Sequence, residues 1–127
     1  MNHLAEMMIL GFLAITFLQS GYDKFTDYQG NLDWLKGHFK NTIFDGKVDL
    51  SLKLLLIFEL IAGLLSVVGI IELLVTGEKQ FAKYGALVSC ATLLMLLFGQ
   101  RIAKDYDGAR TIAIYFASAV LGLYLLQ

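Results

Sequence analysis

The chain has no proline and one cysteine, Cys90, and only 17% of its 127 residues are charged. Each scarcity excludes something. Without proline, no ring-locked residue interrupts a long helix. A lone cysteine rules out an internal disulfide, CxxC redox chemistry and a multi-cysteine zinc site. The formal net charge of −1 excludes a general basic field, so nucleic acid is not expected as a partner. The two histidines, His3 and His38, are far apart in sequence and fall on opposite faces of the expected bundle, so they do not make a shared haem or metal site.

Apolar residues are abundant instead. They make up 57% of the chain, and the mean hydropathy is +0.67. A soluble domain averages about 45–50% apolar, and a chain this short cannot hide such an excess in one core. Four apolar runs stand out, at residues 4–22, 50–75, 81–99 and 111–127. Each is long enough to cross about 30 Å of hydrocarbon as a helix. They are too long for strands and show no sustained alternation. Stretches such as Leu60–Ile71 and Ile112–Leu126 offer almost no polar face, which disfavours a soluble bundle. The first run lacks a preceding Lys or Arg and a clear A-x-A site, so it reads as a retained helix and not a cleaved leader. The expected fold is an all-α membrane protein, a single four-helix transmembrane bundle over residues 1–127.

Four crossings put residues 23–49 and 100–110 on one side, and both termini and the TGEKQ turn on the other. Lys24, Lys36, Lys40, Lys47, Lys53, Arg101, Lys104 and Arg110 lie on the first side, against Lys79 and Lys83 on the second. The positive-inside rule then places loops 23–49 and 100–110 in the cytoplasm and both termini outside. Within the first loop, NLDWLKGHF sets Leu32, Leu35 and Phe39 on one helical face. It reads as a short interfacial helix anchored by Trp34.

The polar residues near that side form the candidate site. Gln19 and Lys24 close the first run, Gln100 and Arg101 close the third, Lys104 follows, and Tyr115 lies a turn into the fourth. Glu59 is the most informative. An ionised carboxylate facing lipid is costly, so Glu59 should face the bundle interior and either pair with a cation or be protonated. Its candidate partners are Gln19, Lys24, Arg101 and Lys104. Glu72 is read as reaching water near the other end, and Gly63, Gly69, Gly85 and Ala86 as helix-packing positions.

Three stretches, FLQSGYDKF (17–25), FELIAGLLSVVGI (58–70) and GQRIAKDYDGAR (99–110), make the chain resemble the DoxX family of small bacterial membrane proteins. The resemblance covers nearly the whole chain. It implies four transmembrane helices with a long first loop, residence in the bacterial inner membrane, and polar positions at Gly21, Lys24, Glu59, Gly63, Gln100 and Arg101. It also implies association with membrane redox or stress-defence systems. The chain lacks the cysteine pair, haem ligands or nucleotide loop of an independent redox enzyme. The resulting expectation is an accessory subunit, or one that binds a small quinone-like ligand with no cofactor of its own. The alternatives are a structural partner or homo-oligomer without ligand chemistry, and an oxidoreductase component in which Glu59 carries protons.

Overall fold

A computed structural model of the chain describes residues 3–127. Those residues form five helices and no strand: α1 (Leu4–Thr26), α2 (Tyr28–His38), α3 (Val48–Val75), α4 (Gln80–Ile102) and α5 (Tyr106–Leu126). All but α2 are long and apolar enough to cross a membrane. α1 packs on α3, α3 on α4, α4 on α5, and α5 returns to α1. The four long helices thus close a ring, and α2 lies against one end of it, on α1 and α3.

Helices α3 and α4 are two-faced by size more than by polarity. The outward stripe of α3 reads Leu50, Leu54, Ile57, Ile61, Leu64 and Val68, all exposed. That of α4 reads Phe81, Tyr84, Leu87, Leu94 and Phe98. Exposed aliphatic and aromatic stripes suit a lipid solvent. The inward faces carry small residues instead, among them Ala62, Gly63, Ser66 and Gly69 on α3 and Ala82, Gly85, Ala86 and Ser89 on α4. Small inward residues let backbones approach closely, which is how helices associate where no hydrophobic effect drives them together. A Cβ on Gly69 would stand 2.5 Å from the Ala82 Cα, and one on Gly63 would stand 2.7 Å from a Leu18 methyl carbon.

Two connections differ from the sequence expectation in their extent. α1 runs on to Thr26 and so carries Lys24 as a helical residue. The third connection is not residues 100–110. α4 continues to Ile102 and α5 begins at Tyr106, leaving only residues 103–105 between them. The cause is Asp105, whose carboxylate accepts from the Gly108 N–H at 3.0 Å and caps α5. Asp107 and Gly108, inside the expected loop, therefore lie in the first turn of α5.

The α3–α4 turn is held at both ends. Gly77, at φ +76°, donates its N–H to the Glu72 carbonyl at 3.1 Å, a left-handed helix ending that suits glycine. Beyond the solvent contact expected for it, the Glu72 carboxylate accepts from the Phe81 N–H at 2.9 Å, capping the first turn of α4. The short helix of the first loop extends over Tyr28–His38. As its spacing implies, Leu32, Leu35 and Phe39 share a face, packed on Val48 and Leu52 of α3.

Candidate functional site

Helical phase decides which polar residues meet. On α1, Leu10, Leu13, Phe17 and Gly21 face inward, and Lys24 follows Gly21 by one turn on the same side. Glu59 comes eleven residues after Val48 in α3, about 16 Å along the axis at 1.5 Å per residue. It is 1% exposed. Lys24 Nζ lies 3.0 Å from Glu59 Oε1 and donates to Ser20 Oγ at 2.6 Å. Neither Glu59 oxygen has a hydrogen-bond partner of good angle, so Lys24 holds the carboxylate chiefly by charge. Gly21 and Gly63 allow the approach: a Cβ on Gly21 would meet Leu60 of α3 at 2.7 Å.

Lys24 also belongs to the wall of a cavity of about 430 Å³ beneath α2. The wall is mainly apolar, with Leu35, Leu52, Leu55 and Met95 among its members. Trp34, Phe39, Phe44 and Phe98 line it, joined into an arc of rings through His38. Trp34 stacks on His38 at 4.6 Å, His38 meets Phe39 edge-on at 5.0 Å, Phe39 meets Phe44 at 5.5 Å, and Phe44 meets Phe98 at 5.9 Å. Polar groups on the wall come from Lys24, Asn31, Ser51 and Gln100. Asn31 spends its amide N–H on the Asp27 carbonyl at 2.8 Å, which leaves its side-chain oxygen as an acceptor. Gln100 Oε1 and His38 Nε2 are 2.9 Å apart, which ties α2 to α4. The Gln100 amide nitrogen packs against Gly108 at the start of α5, where a Cβ would stand 2.5 Å from it. His38 Nε2 is also 3.9 Å from the Asp105 carboxylate.

The structure brings together Lys24 and Glu59, and sets Gln100 on the same cavity wall as Lys24. The other candidates lie elsewhere. Gln19 is exposed on the outward stripe of α1, between Ile15 and Tyr22. It lies five positions from Lys24, and at 3.6 residues per turn that separation points it well away from Glu59. Arg101 is exposed, with its guanidinium 5.2 Å from the centre of the Tyr106 ring. Lys104, at φ +60°, borders a separate shallow depression beside His38, Asn41 and Thr42. Tyr115 packs edge-on against Phe12 at 5.6 Å in the α1–α5 seam, and α5 contributes nothing to the cavity wall.

Sequence reasoning did not reach Asn31, Ser51, Phe44 or Phe98 as wall residues. Asn31 and Trp34 share an α2 face at i, i+3, a signal present in the sequence. Phe44 lies in a non-helical stretch with no such phase to read.

Four apolar crossings with a small-residue seam between α3 and α4 define a multi-pass helical membrane protein. Comparisons of the chain with family models, curated proteins and solved structures find no match.

Proposed function

We propose that this protein is an accessory subunit of a membrane redox or stress-defence system, of the DoxX type, that binds a small quinone-like molecule. One observation carries the reading: Lys24, paired with the buried Glu59, lies on the wall of a mainly apolar, ring-lined cavity. An apolar pocket with a few convergent polar groups is the usual form of a small-molecule site, and an ionisable group within a membrane usually serves function. The ammonium of Lys24 and the side-chain oxygen of Asn31 match carbonyl and hydroxyl groups on a ring. The proposed setting is a bacterial inner membrane, with α2 and the α4–α5 connection on the cytoplasmic side by charge bias.

A purely structural role through glycine-bearing faces fits less well. Gly63, Gly69 and Gly85 are already spent on contacts inside the bundle.

The test is gentle purification followed by native mass spectrometry and organic extraction, comparing the wild type with Gly99→Leu. Gly99 lies on the cavity wall, and a Cβ there would stand 3.5 Å from the Phe39 ring, so a leucine would fill space now open. The proposal expects a ring-bearing small molecule with the wild type and its loss in the variant. Equal extracts from both would overturn it.

A further inference from the structure

The cavity wall is continuous with the lipid-facing surface. Leu54 is an outward-stripe residue of α3 and Phe98 of α4; both are about half exposed, and both line the cavity. Trp34, on the same wall, is 63% exposed. The exposed wall residues are therefore large apolar side chains that face the bilayer or its interface, while the polar ones, Lys24, Asn31, Ser51 and Gln100, are only half-buried members of the wall. Lys24 is the single cation on that wall, and Glu59 already answers its charge.

From this we infer that the cavity is loaded sideways from the bilayer, between α3 and α4 beneath α2. Its occupant is then an uncharged amphiphile with a hydrogen-bonding ring as head and an apolar tail trailing past Leu54 and Phe98 into lipid. The inference rests on the cavity being a ligand site, and adds the route and the charge of what fills it. A charged occupant would bring an unanswered charge beside a pair that is already neutral, at the desolvation cost of any buried ion. A tail lying along Leu54 and Phe98 would stay in apolar surroundings at no such cost.

Trp34 is the only tryptophan, so fluorescence reports this wall alone. The experiment uses the full-length protein in phosphatidylcholine vesicles, titrated with a decyl-tailed benzoquinone and separately with a sulfonated, water-confined benzoquinone. The expected result is a saturable quench of Trp34 by the tailed probe that vanishes in Gly99→Leu. The sulfonated probe should be at least about tenfold weaker. Leu54→Lys, which puts a charge on the rim one residue after Lys53, should slow quenching by the tailed probe in stopped flow; an unchanged rate would overturn the lateral route.

Equal saturation by the sulfonated probe would overturn the lateral route and the neutral occupant while leaving the site standing. Displacement of the tailed probe by decanol at the same bilayer fraction would overturn the ring-bearing head. No saturable component from either probe would overturn the ligand site itself, and this inference with it.

Discussion

Lys24 of α1 meets Glu59 of α3 at 3.0 Å, joining two helices that are separated in sequence by the whole first loop. The carboxylate is almost fully buried, and the ammonium side chain is 18% exposed. Breaking such a pair from one side leaves an uncompensated charge, at a cost of about 3–5 kcal/mol, whereas replacing both members by apolar residues is often neutral. Lys24→Met and Glu59→Met should each destabilise strongly, and the double variant should recover most of the loss. Unfolding in mixed micelles, run as a double-mutant cycle, measures this. Additive losses in the double variant would show that the two side chains do not depend on one another.

The α3–α4 seam makes a sharper packing prediction. Gly69→Ala puts a methyl carbon against the Ala82 backbone, which cannot yield as a side-chain tip can. Overpacking of this kind costs about 1–3 kcal/mol. Gly11 has nothing within 4 Å of the same construction. Gly11→Ala should therefore be neutral or stabilising, by up to about 1 kcal/mol from helix propensity. The melting temperatures of the two variants should move in opposite directions, or only Gly69→Ala should move.

His38 fastens α2 over the cavity through Gln100 and stacks on Trp34. His38→Ala removes both contacts while leaving Leu32 buried on α3. Hydrogen exchange should speed up across residues 28–38 and stay unchanged in the middle of α3 and α5. Steady-state anisotropy of Trp34 should fall. Unchanged exchange in α2 would mean that Leu32, Leu35 and Phe39 hold the helix unaided.

Tyr28, on α2, donates its hydroxyl to the Asp49 carboxylate, and that bond pushes its ionisation up to about 12. A group whose folded value is raised contributes stability that is complete below its unfolded value, about 10 for tyrosine. That contribution is lost as pH rises through about 12. The phenolate absorbance titration of the wild type minus that of Tyr28→Phe should therefore show one tyrosine ionising above the ordinary range. Asp49→Asn should bring it down.

Much of the fold was legible in the sequence because length and hydropathy decide membrane crossings almost alone. The four runs, the tight α3–α4 turn and the helical pattern of Leu32, Leu35 and Phe39 all have their structural counterparts. Boundaries were harder. Asp107-Gly108 resembles a turn until Asp105 is seen to cap the helix containing both. Within the site, Glu59 announced itself by its charge in an apolar run, and Lys24 was among its stated partners. Gln19 shows the limit of reasoning from proximity along the chain: it shares α1 with Lys24, five residues earlier, but faces outward. The aromatic arc was not legible, because Phe39, Phe44 and Phe98 meet only once the first loop folds back on α4.

The central claim is that the cavity walled in part by Lys24, the partner of Glu59, is an occupied site. It is tested most directly by photolabelling the protein in vesicles with an alkyl-tailed quinone carrying a diazirine, then mapping the adducts by mass spectrometry. The account predicts saturable labelling on Trp34, Phe39, Phe44, Ser51 and Met95, suppressed in Gly99→Leu. Labelling spread evenly over the outward stripes at Ile61, Leu64 and Leu87, unchanged by that substitution, would contradict it.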